Sequence, residues 1–458
     1  MKPVDAAALL LGLAACSAGG LSSSLPDNAH AGARTGSSYA VLYSFRGAPD
    51  GEVPTSSLIS DGSGRLYGIT FYGGATARGC NGATGCGTFF TFDRSSRQET
   101  VLYSFGETPG DGQLPNSLLF HDGSFYGTTQ DGGTSASLGT VFKITPPARQ
   151  GGKWHETILH RFHGSPNDGS SPIQLTIDAS GAIYGTAGDG GSATKCFLGC
   201  GAIFKLTPLL GKGEWRESIL YSFAGAPGGA GPSSLILAPS GTFYGETLAG
   251  GRSSACGDGG CGTVFALSKP SRGSRWTETI LHAFKTGRAP KNDGEFPDDL
   301  TLASNGALYG VTAYGGPPRR CYTRGYNWTG CGTFFLLRPT SGQRSQWIES
   351  LLYLFKGDAY EAPDSITSDG RGFYGTSQYG GGGYCDRGWG CGTLFHLAAP
   401  QGQTRWTETI VHSFSGGTND GSDPGGAVVA DHKNLYGVTM YGGAFCTFGC
   451  GTIYEYQP

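Results

Sequence analysis

A tripeptide of Leu, Ile or Phe followed by Tyr-Gly returns seven times, with its tyrosine at Tyr67, Tyr126, Tyr184, Tyr244, Tyr309, Tyr374 and Tyr436. The intervals are 59, 58, 60, 65, 65 and 62 residues. Each copy leads into a Gly-Gly loop and then a Gly-Thr or Gly-Ala step: Gly87-Thr88, Gly139-Thr140, Gly201-Ala202, Gly262-Thr263, Gly332-Thr333, Gly392-Thr393 and Gly451-Thr452. A third signature, a short apolar run closed by phenylalanine, ends at Phe45, Phe105, Phe162, Phe223, Phe284, Phe355 and Phe414. A period of this length means one supersecondary unit per repeat, each unable to bury its apolar face alone.

Composition sets the class of that unit. Glycine is 82 of 458 residues, about 18% against a usual share of roughly 7%, and aromatic residues make up 12%. So much glycine argues against helices, and so many aromatics argue against a disordered chain. Each repeat reads as four short strands bounded by glycine turns. In the first, strand A is expected near Ser56–Ser60, B near Arg65–Thr70, C near Thr88–Asp93 and D near Glu99–Phe105. Asp61-Gly62, Asp122-Gly123, Asn305-Gly306 and Asp369-Gly370 carry hairpin chemistry between A and B. Seven four-stranded units predict an all-β, seven-bladed β-propeller over residues 39–458. A D-type strand at Ala40–Phe45 precedes any A strand, and the last C strand lies near Tyr456. The N-terminal strand is therefore expected to close the last blade and leave no open edge.

These residues carry a family resemblance. The series Leu-Tyr-Gly-x-Thr, Gly-Gly, Cys-Gly-Thr-x-Phe and Glu-Thr-x-Leu-Tyr-Ser-Phe resembles the GloVer tandem-repeat proteins of bacteria, over residues 39 to 458. Those proteins are described as choice-of-anchor repeat proteins, because relatives attach to the cell surface in different ways. The resemblance implies an extracytoplasmic repeat protein and transfers no catalytic activity.

The N-terminus supplies an address. Lys2 precedes an apolar stretch from Ala6 to Ala15, about half of the roughly 20 residues a bilayer core requires. Leu13-Ala14-Ala15-Cys16 resembles a bacterial lipobox, with an ordinary signal peptide followed by an incidental cysteine as the other reading. On the first reading residues 1–15 are removed, Cys16 carries lipid, and residues 16–38 form a flexible Ser-, Gly- and Ala-rich tether. Ser17 after the cysteine favours the outer membrane by that resemblance, with the propeller periplasmic or surface-facing.

Setting Cys16 aside leaves twelve cysteines in six local pairs: Cys80/Cys86, Cys196/Cys200, Cys256/Cys261, Cys321/Cys331, Cys385/Cys391 and Cys446/Cys450. All lie in the loop between strands B and C. Zinc would need four ligands in one place, whereas each loop offers two at a variable spacing, so six intraloop disulfides are expected of an exported chain.

Function is written less plainly. With 32 basic against 35 acidic residues there is no positive field for nucleic acid. No phosphate loop, dinucleotide fingerprint, nucleophile elbow or zinc-helix motif is present, and no cofactor or metal is called for. Asp50, Asp111, Asp168, Asp293 and Asp420 stand in Asp-Gly-x-x-Pro connections between blades, where they are either a ring of acids at the channel mouth or plain turn residues. Trp154, Trp215, Trp276, Trp347 and Trp406 recur two residues before a glutamate and read as blade packing, as do His160, His282 and His412 in place of the strand-D tyrosine. Two loops depart from the repeat. One carries Arg319, Arg320, Tyr322, Tyr326 and Trp328; the next carries Tyr384, Asp386, Arg387 and Trp389. Aromatic and arginine side chains on stiffened loops are recognition residues. The expectation is a monomeric, lipid-anchored binding module for an extracellular glycan or envelope protein. A carbohydrate-active hydrolase or lyase using carboxylates at the channel mouth, and a structural envelope protein without a small ligand, are the alternatives.

Overall fold

The computed structural model describes residues 37–458 apart from loop residues 76–79, 81–84, 150, 210–212, 255, 258, 270–274, 286–291, 317–329, 341–342, 357–360, 386–387, 401–404 and 432. Seven antiparallel sheets follow one another along the chain, each in the order A-B-C-D. Blade 1 runs through Gly51–Pro54 with Ile59–Ser60, then Arg65–Gly73, Thr88–Asp93 and Gln98–Ser104. Strand A thus starts earlier than the sequence implies and is interrupted. Blades 2 to 6 begin at Gly112, Gly169, Gly229, Glu295 and Pro363. In blade 7, Gly421–Asp431, Asn434–Gly442 and Thr452–Gln457 are completed by Ser38–Ser44, which pairs antiparallel with Thr452–Gln457. The ring is closed by its own N-terminus, as expected.

The apolar residues fill the spaces between blades rather than a common centre. One cluster joins Phe89 of blade 1 to Phe125 and Phe142 of blade 2, another joins Ile203 and Phe223 of blade 3 to Phe243 and Phe265 of blade 4, and the pattern continues round to Phe45, Phe90 and Tyr436. The repeat signatures explain this. The phenylalanine that ends strand D meets a ring on strand C of the next blade, edge-on in Phe45–Phe90, Phe162–Phe204, Phe223–Phe265, Phe284–Phe335, Phe355–Phe395 and Phe414–Tyr454 and tilted in Phe105–Phe142. Their centroids lie 5.0 to 5.3 Å apart, the preferred geometry for aromatic pairs, worth about 1 kcal/mol each beyond burial. The glycine of Tyr-Gly makes room for the strand-C ring: a β-carbon on Gly68 would stand 2.6 Å from Cζ of Phe90. The periodic tryptophans also bridge blades, Trp154 against Phe89 at 5.4 Å and Trp406 against Phe334 at 5.1 Å.

Deleting residues 38–44 from the purified mature protein exposes the edge at Thr452–Gln457 and strips Tyr39 and Tyr43 from their packing. Losing several large apolar side chains at about 1.5–3 kcal/mol each predicts a fall in melting temperature of more than ten degrees by calorimetry, with aggregation. A melting curve that matches the intact chain would show that closure contributes nothing.

Candidate functional site

The connections from D to A and from B to C emerge on one face. There the cysteines pair: Cys80–Cys86, Cys196–Cys200, Cys256–Cys261, Cys385–Cys391 and Cys446–Cys450 are disulfides. Cys331 is disulfide-bonded too; its expected partner Cys321 lies outside the described residues, as does Cys16. Disulfides in this number mark an extracytoplasmic protein.

The five Asp-Gly aspartates are engaged in hydrogen bonds that take them away from the channel. Asp111 accepts the Tyr103 hydroxyl at 3.0 Å and the backbone N–H groups of Gly106 and Gly112 at 2.8 and 2.7 Å. Asp50 does the same with Tyr43, Arg46 and Gly51. Asp168 and Asp420 use His160 and His412 in place of tyrosine, and His282 Nε2 stands 3.3 Å from Asp293. All these phenol and imidazole groups sit on strand D, the outermost strand. These bonds tie each aspartate to its own turn and to strand D of the preceding blade, so that it acts as a latch between blades. Where Gly228-Gly229 replaces Asp-Gly, Glu278 from the following strand D takes over, accepting Tyr221 at 3.0 Å and Gly229 N–H at 3.2 Å. Tyr353 likewise donates to Glu408.

The glutamate after each periodic tryptophan belongs to the same latch, which sequence reasoning missed. Burial, then the charge of the neighbouring aspartate, pushes Glu156 up to about 9 and Glu99, the blade 1 counterpart that follows Arg97 in place of tryptophan, up to about 8. Glu217 and Glu349 reach about 7, each chiefly through burial. At neutral pH burial thus favours the protonated form of the highest of these. Asp168 moves the other way: burial raises it, but the bonds from His160, His163 and Gly169 together hold it below the usual range.

The loop face carries an apolar feature that the sequence analysis passed over. Phe197 is 97% exposed, at the tip of the Cys196–Cys200 loop, and Phe448 is 84% exposed within Cys446–Cys450. Tyr384 is 90% exposed beside Cys385. Trp389, in contrast, is folded edge-on against Tyr379 at 5.4 Å, so Tyr384 is the exposed ring of that loop. Arg319, Arg320, Tyr322, Tyr326, Trp328, Asp386 and Arg387 lie outside the described residues. A tight disulfide loop gives its tip no core to turn into, and the alternation of exposed Phe with Gly-Cys is the sequence signal for it. Two groups of metal-competent side chains have ligand atoms within 4.8 Å of one another, Glu52/Cys446/Cys450 and His282/Asp293/Glu349. The first is spent on a disulfide and the second is a latch.

The sequence pattern of the Gloeobacter/Verrucomicrobia repeat matches residues 32–198 and 122–386. The chain belongs to this repeat family. No curated protein matches it. Among solved structures it is similar to a Lactobacillus plantarum protein, at 12% identity over 82% of this chain and 88% of that one, TM-score 0.47. It is also similar to a gluconolactonase from Xanthomonas campestris, at 11% identity over 96% and 98%, TM-score 0.39. Likeness at this level carries no functional argument.

The latches make a pH prediction. A carboxyl with a higher pKa in the folded than in the unfolded chain binds its proton more tightly when folded, so its stabilisation is complete below the ordinary glutamate range and is lost as pH rises through 7 to 9. The melting temperature is expected to fall between pH 6 and 9, and to fall less in Glu156→Gln, which keeps a hydrogen-bond donor without the proton. A melting temperature that rises over this range, or an identical slope in the variant, contradicts the latch.

Proposed function

We propose that this repeat protein is a lipid-anchored binding module of the cell envelope, held at the outer membrane through Cys16, and that its disulfide-pinned face takes an extracytoplasmic glycan. The observation that carries the reading is the exposure of Phe197, Tyr384 and Phe448 on three loops of one face, each within or beside a disulfide. Large rings left in water on stiff loops forgo roughly 1.5–3 kcal/mol each of burial that a ligand can restore. Stiffness lowers the ordering cost on binding. Phe445 adds a fourth ring under the Arg46 guanidinium, at 5.4 Å. Rings spread over separate blades suit a repeating polymer, whose sugar faces present axial hydrogens at regular spacing. An envelope protein is the other occupant such a surface fits.

Replacing Phe197, Tyr384 and Phe448 together with serine is expected to leave the melting temperature within about two degrees, because none of the three belongs to the inter-blade packing. Retention on a glycan array should fall at least tenfold, about 1.4 kcal/mol. Unchanged retention in the triple variant overturns the reading. Binding confined to envelope proteins in a pull-down, lost in the same variant, would keep the face and change the ligand class.

A further inference from the structure

Strand A forms the inner ring of the propeller, and a position-by-position comparison of blades shows that one side of this ring differs from the other. The residue after the strand-A proline is Asn116 in blade 2 and Asp364 in blade 6. Each accepts a hydrogen bond at 2.5 Å from the strand-B threonine of its own blade, Thr128 or Thr376. The next residue is Gln174 in blade 3 and Asp299 in blade 5. Each accepts a backbone N–H from the following blade, Leu235 at 2.6 Å or Ile366 at 2.8 Å. Neutral amides thus satisfy the fold in blades 2 and 3, where blades 5 and 6 place carboxyl groups. Asp298 joins them from blade 5. So does Glu246 on strand B of blade 4, at a position held by Thr128, Thr186 and Thr376 in other blades. Four carboxyl groups from three adjacent blades are buried together with no packing need for their charge.

The charges around two of them are of one sign. Burial and then Asp299 raise Glu246; burial and then Asp364, Glu246 and Asp299 raise Asp298. Every charge acting on these two is another carboxylate. Glu246 Oε1 and Asp364 Oδ2 are buried without a hydrogen-bond partner among the described residues. An independent observation comes from blade 7. The ring on strand C opposite the Tyr-Gly glycine is Phe90, Phe142, Phe204, Phe265, Phe335 or Phe395 in six blades and Tyr454 in the seventh. The Tyr454 hydroxyl extends past Gly437 into electrostatic reach of Asp364, fully buried and without a hydrogen-bond partner among the described residues. Carboxylate and hydroxyl oxygens, with neither thiol nor imidazole, are the donor set of hard divalent cations. No three of the four acids bring oxygens within 4.8 Å of one another, so an ion here would have to keep bridging waters.

We propose that the inner ring between blades 4 and 6 binds one hydrated divalent cation of the calcium or magnesium class through Glu246, Asp298, Asp299 and Asp364, with the Tyr454 hydroxyl at its edge. The ion neutralises carboxylate charge that adjacent blades bury close together. This site is separate from the loop face and stands whether or not that face binds glycan.

The test uses the mature protein stripped with EDTA and then titrated separately with Ca2+ and Mg2+. One ion per chain by elemental analysis after dialysis, and a melting temperature raised by re-addition, are expected. The double variant Glu246→Gln, Asp298→Asn should bind about a hundredfold more weakly or worse. In EDTA it should melt no lower than the unsubstituted chain, since neutral side chains relieve the repulsion. Should the double variant not fold, Tyr454→Phe restores the ring of the other six blades and is expected to weaken binding several-fold on an intact fold. Absence of a stoichiometric ion with both cations overturns the proposal. So does unaltered affinity in the double variant or, where that one does not fold, in Tyr454→Phe.

Discussion

Among the described residues, six of the seven blade junctions are spanned by a backbone hydrogen bond, and five of those six depend on a strained residue. The residue before the strand-A proline donates its N–H to the carbonyl of the residue ending the previous blade's B–C loop: Val53 to Cys450, Leu114 to Cys86, Ser171 to Leu138, Gly231 to Cys200, Phe296 to Cys261 and Asp423 to Cys391. Five of these six donors are not glycine and yet hold φ between 52° and 57°. The left-handed region costs an ordinary residue about 1–2 kcal/mol, and a following proline disfavours it further. The chain accepts that conformation at junction after junction because it is the one that aims the N–H at the neighbouring loop, and a buried N–H left unpaired costs as much or more.

The disulfides acquire their role from this bond. In five of the six junctions the acceptor is the carbonyl of a half-cystine next to the strand-C start, so the loop must stay in place for the next blade to dock. Blade 2, whose loop has Leu138 instead of cysteine, keeps the same bond through a shorter loop in which the Gly132 N–H donates to Ser137 Oγ at 2.8 Å. Aromatic pairs at 5.0 to 5.3 Å and the carboxyl latches then act on the same seams from the inside outward. A frame fixed at its seams leaves two regions free to vary: loop tips on the outside and the inner faces of strand A.

That division explains what was legible in the sequence. Blade number, strand order, ring closure and cysteine pairing all follow from repeated residues, because repetition forces the same contact at every seam. The bond from strand D to these aspartates was not legible for a definable reason. The connection that carries Asp111 does lie on the loop face, but its side chain is directed by Tyr103, eight residues earlier on the outermost strand, and a turn motif alone does not show that partner. The inner acids were hidden because Asp298, Asp299 and Asp364 stand out only when strands A are aligned in register, and the first strand A is broken between Pro54 and Ile59. Phe197 and Phe448 were overlooked because the cysteines beside them drew the structural reading.

Amide hydrogen exchange followed residue by residue tests the seam most directly. If the junction bonds hold the ring together, the N–H groups of Val53, Leu114, Ser171, Phe296 and Asp423 exchange only through global unfolding, as slowly as the strand-B and strand-C amides of the same blades. Exchange at these five positions on the timescale of exposed loops, with the strands still protected, would show that the blades are held by side-chain packing alone and would contradict the account.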